Sequence, residues 1–359
     1  MKAKTLTQLI TLFNPQQHLD ETQHHFFVNI FGKELDRFVT EIVHAPTNQI
    51  FFITGQSGNG KTSMLRNLQT EYPEELKSFH FFYLEGRDLL NLEHLKIEDV
   101  IYKIATKLMP TEAIVRGSLS IDTLNEMIKR YEDEVLEGKK RLVLVIDDFE
   151  KLVIADLNKT DDVYYKFLFE GIPSLKYLNC IKLVTFPFHF KNSAIIEDAR
   201  FKDFIIHLDT TGSIDVPSIQ EVILKRLDDT TLISELPFLI SFSGANMRQL
   251  IQIVHQAGLE SKTAKGTKID KSDMLGAIGR LRKEFRELIE RDLEFYKYVH
   301  KYNEIDFKDE KHQALLTSAL RNRTVFAYLF DSSYYYALNP VVVKLLEGRG
   351  RARFLSVDY

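Results

Sequence analysis

The sequence predicts a parallel α/β fold built around a bound phosphate, then a helical part and a small C-terminal module. Three observations carry this. An apolar stretch, Ile50 to Thr54, runs straight into Gly55-Gln-Ser-Gly-Asn-Gly-Lys-Thr62, a G-x-x-x-x-G-K-T loop that opens a helix. A second apolar stretch, Leu142 to Ile146, ends in Asp147-Asp148. Beyond Ile214 the strand-like runs give way to apolar residues at helical spacing.

The loop comes first. Gly55, Gly58 and Gly60 let the backbone curl so that successive N–H groups converge on a phosphate, and the following helix turns its positive end toward that anion. Gly55, Gln56, Ser57, Gly58, Asn59, Gly60, Lys61, Thr62 and Ser63 are therefore the candidate cofactor-binding residues. Lys61 supplies a point charge for the β- and γ-phosphates, and the Thr62 hydroxyl is placed to ligate Mg²⁺.

The acidic strand supplies what such a loop lacks. Mg²⁺ needs a carboxylate in its shell, and an attacking water must be oriented and deprotonated. Asp147 suits the metal shell and Asp148 the general base. An aspartate reaches less far than the more usual glutamate, so Glu150 is a candidate to share that task. Two further runs fit the same sheet: Phe79 to Leu84, and Cys180 to Phe186, whose polar tip is Thr185. If this strand lies between the loop strand and the acidic strand, Thr185 points at the γ-phosphate or its water and acts as a sensor. The other reading is a hydroxyl bonded to nearby backbone.

Two resemblances are rejected. Asn158-Lys-Thr-Asp161 has the N-K-x-D pattern of guanine recognition, yet it follows the acidic strand by about ten residues, too few for an intervening helix and strand. His24-His25 has no further ligand at metal-binding spacing.

Composition narrows the class. The 359 residues suggest roughly two or three domains. Apolar residues make up 44 % and charged residues 27 %, ordinary values for a globular protein, and no run approaches the roughly eighteen uninterrupted apolar residues of a membrane span. The first residues lack a signal-peptide pattern, so a cytoplasmic location is expected. The lone cysteine, Cys180, forbids an internal disulfide. A net charge of −4 argues against whole-surface binding of nucleic acid, although residues 271–359 carry 16 Lys and Arg against 13 Asp and Glu, with Arg349, Arg351 and Arg353 together near the end.

Helical spacing marks Gln220 to Asp228, Leu232 to Phe242, Met247 to Leu259 and Lys271 to Tyr298, which together read as a lid. Then come a helix over Lys308 to Leu320, a hairpin made of Thr324 to Phe330 and Tyr334 to Leu338, and a helix led by Pro340. The hairpin tyrosines read as core or as a base-stacking platform, core being the commoner use.

Further segments carry a family resemblance. Asn29 to Phe38 is similar to the F-x-G-R-E-x-E-L segment that packs on adenine in AAA+ ATPases of the origin-recognition and STAND-like branch, with Lys33 in place of the arginine. Glu197 to Phe201 resembles the stretch bearing the arginine finger, which implies Arg200. Ile205 to Leu208 and Val222 to Leu227 resemble the last core strand and first lid helix. Ser243 to Leu250 resembles the G-x-x-R start of the sensor-2 helix, which implies Arg248. The C-terminal helices and hairpin resemble a winged-helix module. The resemblance implies a P-loop ATPase core over 1–212, a helical lid over 213–300 and a winged-helix-like domain over 301–359. It implies an ATPase using ATP and Mg²⁺, with Lys61, Asp148, Glu150, Thr185, Arg200 and Arg248 catalytic and Thr62 and Asp147 on the metal. Expected partners are further copies of the chain or another protein, and DNA, without a membrane. Two functions stay open: a DNA-associated switch that assembles or recruits partners, and a STAND-like signalling or defence switch that controls a protein without touching DNA.

Overall fold

Among the described residues, five runs rich in β-branched and aromatic residues build one parallel sheet: β1 (Ile50–Gly55), β2 (Phe79–Glu85), β3 (Arg141–Asp147), β4 (Ile181–Pro187) and β5 (Ile205–His207), in the order β2-β3-β4-β1-β5. The computed structural model describes residues 2–17, 19–86, 96–117, 119–147, 171, 174–187, 205–207, 216–305, 310–330 and 333–347. Asp148, Glu150, Asn158 to Asp161, Arg200 and the arginines from Arg349 onward lie outside them. The chain divides into two compact units. One holds Phe31–Gly55 and Lys61–Leu208; the other holds Met1–Ile30, Gln56–Gly60 and Asp209–Tyr359.

The sheet belongs to the first of these. Leu142 through Ile146 are fully buried, as a parallel strand covered on both faces requires, and each such side chain contributes about 1.5–3 kcal/mol of apolar burial. One face packs against α4 (Ile97–Leu108) and α5 (Ile121–Arg130), which carry the chain from β2 back to β3. Helix α2 (Lys33–His44) buries Leu35, Phe38, Val39 and Ile42, and Phe38 meets Phe51 of β1 edge to face. Helix α3 (Lys61–Glu71) follows the loop. From β1 the chain crosses to the edge strand β2, returns through β3 and β4, and places β5 on the other side of β1. The order reverses beside β1, where ligands of such sheets bind at the carboxyl ends of the strands.

Cys180 and Lys182, two residues apart at the start of β4, are both buried. The Lys182 ammonium donates to the carbonyls of Asn48 (2.8 Å) and Leu178 (2.9 Å). Burial lowers its pKa to about 8 from 10.5 and raises that of the Cys180 thiol to about 12 from 9.0. Between pH 8 and 10.5 the unfolded chain binds more protons at Lys182, so stability rises with pH. Above pH 9 the folded chain keeps the Cys180 proton longer, so stability falls. The two slopes oppose each other from pH 9 to 10.5. Relative to wild type, Cys180→Ala is expected to gain stability steadily over that range and Lys182→Met to lose it, each by up to about 2 kcal/mol in urea titrations at stepped pH.

The other unit is helical. Helix α1 (Leu6–Leu12) lies on α8 (Met247–Thr263) so closely that a Cβ on Gly258 would come 2.8 Å from Ile10. Ala3 forms a backbone bridge with Leu227 just after α6 (Val216–Leu224). The Arg226 guanidinium is buried between the rings of Phe13 and Phe26 and donates to the Val222 carbonyl (2.5 Å). Helix α7 (Leu236–Ser243) starts four residues later than the spacing suggests, because Pro237 stands in its first turn and Thr230–Leu232 forms a separate 3-10 turn. The single helix expected over Lys271 to Tyr298 is two, α9 (Lys271–Arg291) and α10 (Leu293–Tyr302), since Asp292 leaves helical geometry at φ −120°, ψ 35°. Helix α11 (Glu310–Arg321), the antiparallel hairpin β6 (Val325–Phe330) and β7 (Ser333–Leu338), and α12 (Pro340–Glu347) complete it. Phe326, Tyr328 and Tyr336 are buried in this hairpin.

Candidate nucleotide site

Strand β1 ends at Gly55 and α3 begins at Lys61, so the motif forms the expected strand, loop and helix. Gly58 and Gly60 take φ of 91° and 88°, the left-handed region open to glycine, whereas Gly55 completes the strand. The bend therefore rests on two glycines rather than three. The first turn of α3 carries no acidic residue, which leaves its positive end available to an anion. Thr62 and Ser63 lie half-buried in that turn. Lys61 is buried to 5 % exposure, and its ammonium donates to the Gly55 carbonyl at 2.7 Å.

Asp147 closes β3 and is equally buried. Strand β4 separates β3 from β1, with Thr185 in register with Ile53 and Val184 with Ile146. Period-two alternation puts Asp147, Thr185 and Ile53 on one face of the sheet. The Thr185 Oγ1 is buried with no hydrogen-bond partner among the described residues. A buried hydroxyl is seldom left without one, so its backbone-bonded alternative does not apply here. At the tip of β2, Glu85 is paired with Arg66, which also lies 5.6 Å over the Tyr83 ring.

In the helical unit, Gly244 and Ala245 both take positive φ and turn the chain from α7 into α8. Asn246 caps α8, its Oδ1 accepting from the Gln249 N–H at 3.0 Å. The same side chain donates through Nδ2 to the Ser57 carbonyl (2.8 Å) and to Asn59 Oδ1 (3.2 Å). The Arg248 N–H donates to the Gly58 carbonyl at 3.1 Å, and its Nη1 to the Ser57 hydroxyl at 3.3 Å. Arg248 and the loop are thus brought together. Asn246 is the residue the motif reading missed; Gln56 was read as part of the loop, but not that its side chain is buried. The one signal for Asn246 was its place directly before a helical run, where asparagine caps.

A parallel β2-β3-β4-β1-β5 sheet with this loop after β1 and a helical part after β5 has the P-loop fold of the AAA+ ATPases. Residues 32–180 match the model of a family described as an ATPase domain predominantly from Archaea, so the chain carries an ATPase, and hence nucleotide-binding, domain. Its fold is that of the origin-recognition proteins. The Walker-type ATPase PABY2304 of Pyrococcus abyssi superposes with a TM-score of 0.56 at 14 % identity, over 94 % of this chain and 99 % of that one. The ORC2 protein of Aeropyrum pernix, solved in ADPNP and ADP complexes, gives 0.53 at 14 % identity over 94 % and 95 %. The Drosophila ORC bound to DNA gives 0.50 at 12 % identity over 95 % and 91 %. No curated protein matches the chain in sequence. Among the described residues no helix is long and apolar enough to cross a membrane.

Proposed function

We propose that the chain binds Mg²⁺-ATP, hydrolyses it, and acts as a switch that assembles or recruits partners on DNA. One observation carries the nucleotide part. A buried lysine opens α3, a buried aspartate closes β3, and the strand between β1 and β3 offers a buried hydroxyl without a partner among the described residues. The donors fit the ligands: Thr62 and Asp147 are hard oxygen donors suited to Mg²⁺, and Gly58 and Gly60 adopt the curl that turns backbone N–H groups on a phosphate. Bound Mg²⁺ would neutralise phosphate charge and orient the chain of phosphates.

In this reading Lys61 holds the β- and γ-phosphates and Thr185 orients the attacking water. Asp148 takes its proton, with Glu150 sharing the task. Arg200 reaches the γ-phosphate of a neighbouring copy, and Arg248 reports from the lid, which its contact with Ser57 supports. We assign the ATPase core within residues 1–212, the lid to 213–300 and a winged-helix-like module to 301–359, with Met1–Ile30 and Gln56–Gly60 belonging to the helical unit. A lone buried thiol needs no oxidising compartment, in keeping with a cytoplasmic setting.

The DNA part is supported by the basic excess beyond Lys271 and by the origin-recognition fold. Gel shifts on duplex DNA with and without ATP test it. Affinity is expected to fall on the order of a thousandfold between 50 and 200 mM salt, as six or more phosphate contacts would produce. A specific observation favours a second reading, a switch that controls a protein partner: Phe326, Tyr328 and Tyr336 are consumed in packing and offer no platform for bases. No retention of DNA at low salt, in either nucleotide state, would decide for it.

A further inference from the structure

Gln56 is the first loop residue after β1, and its side chain is turned to the C-terminal hairpin. It is 2 % exposed. Its Nε2 donates to the Val325 carbonyl at 2.9 Å, and its Oε1 accepts from the Ala327 N–H at 3.3 Å. Alternate residues of a strand direct their backbone groups to the same edge, and Val325 and Ala327 are two apart on β6. One amide with one donor and one acceptor thus occupies the place of a neighbouring strand.

A second path joins the same two elements. Asn246 holds the Ser57 carbonyl and Asn59, and accepts from the Gln249 N–H. The Gln249 and Asn339 amides are buried and bond reciprocally, at 2.9 and 2.6 Å. Asn339 donates onward to the carbonyls of Arg323 (2.7 Å) and, through its N–H, Thr324 (3.0 Å), the two residues that lead into β6. The phosphate loop is therefore tied to the beginning of β6 by one route and to its edge by the other.

We propose that Gln56 is a positioning residue: its amide locks the phosphate loop to β6, so that nucleotide binding at the loop and docking of the β6–β7 hairpin are one coupled equilibrium. This rests on the nucleotide reading of the loop. The physical reason is that a loop bent at Gly58 and Gly60 presents its N–H groups only while its other residues are held, and Gln56 is held by the hairpin. Undocking the hairpin leaves the amide unmatched or lets it swing into water, and either way the loop loosens. A nucleotide that requires the ordered loop then favours the docked hairpin, and the docked hairpin favours nucleotide by the same factor.

Hydrogen exchange at the Ala327 amide, measured on the full chain beside Mg-ADP affinity, tests this. Saturating Mg-ADP is expected to slow that exchange in the wild type. Gln56→Glu keeps the size and the acceptor for Ala327 but sets a carboxylate oxygen against the Val325 carbonyl. Near neutral pH it is expected to bind Mg-ADP about ten- to a hundredfold more weakly and to speed Ala327 exchange comparably, the range for losing one buried hydrogen bond and stranding its acceptor. Lowering the pH until the carboxyl carries a proton restores a donor to Val325, so affinity relative to wild type recovers. Gln56→Leu, with no group to protonate, shows no recovery. Wild-type chain that binds Mg-ADP with unchanged Ala327 exchange would overturn the inference and leave the nucleotide reading standing. Wild-type chain that does not bind Mg-ADP overturns both. Should Gln56→Glu fail to fold, the wild-type exchange comparison decides alone.

Discussion

Lys61→Ala is expected to abolish measurable ATP turnover and to weaken Mg-ATP binding by about ten- to a hundredfold, the loss associated with one charge-assisted hydrogen bond. In the present structure its ammonium donates to the Gly55 carbonyl, inside the loop that would hold the phosphates. In phosphoryl transfer, positioning and charge neutralisation do nearly all the work, and removal of one such donor slows the chemical step by about a hundred- to a thousandfold on top of the binding loss. Asp148→Asn should separate the two steps: nucleotide remains bound while release of phosphate stops. Equilibrium binding and phosphate release on the same preparations check both. Unaltered turnover in either variant would remove that residue from the proposal.

The physics that made the sheet legible also limits what else could be read. Strands buried on both faces leave continuous apolar runs, so Ile50 to Thr54 and Leu142 to Ile146 announce themselves. Their order was legible only as a condition, that Thr185 matters if its strand lies between the other two, because no local pattern encodes which strands pair; the structure places β4 there. The break at Asp292 was invisible because apolar spacing continues on both sides of it. The docking of α1 on α8 was equally hidden, since its partners are more than two hundred residues apart and a mid-helix Gly258 is a faint sign of close approach. Asn246, and the use made of the Gln56 side chain, escaped the reading for a related reason. A phosphate loop uses the backbone at its variable positions, so the motif says nothing about their side chains. In this chain those side chains are engaged by a distant strand and a helix start: Gln56 by β6, Ser57 and Asn59 by Arg248 and Asn246.

The outer surface of the loop is accordingly as constrained as the inner one, and Gly58→Ala exposes this. Gly58 sits at φ 91°, where a Cβ introduces strain of about 1–2 kcal/mol. The added atom would also lie 2.5 Å from Asn246 Oδ1 and 2.9 Å from the Arg248 Cβ. One neighbour is a side-chain amide able to swing away, though only by surrendering Ser57 and Asn59; the other is anchored to the first turn of α8. Crowding of this kind adds about 1–3 kcal/mol, so Gly58→Ala is expected to destabilise the free chain by about 4 kcal/mol in total. Gly60→Ala supplies the comparison. Its φ is nearly the same, 88°, but the nearest atom to its Cβ is the Ile30 Cδ1 at 4.0 Å, an ordinary contact. It should lose the strain term alone, about 1–2 kcal/mol. Denaturant titrations without nucleotide measure the gap free of any effect on phosphate binding. Equal losses in the two variants would mean that Asn246 and Arg248 do not press on the loop, and Arg248 would then have no claim to report from the lid.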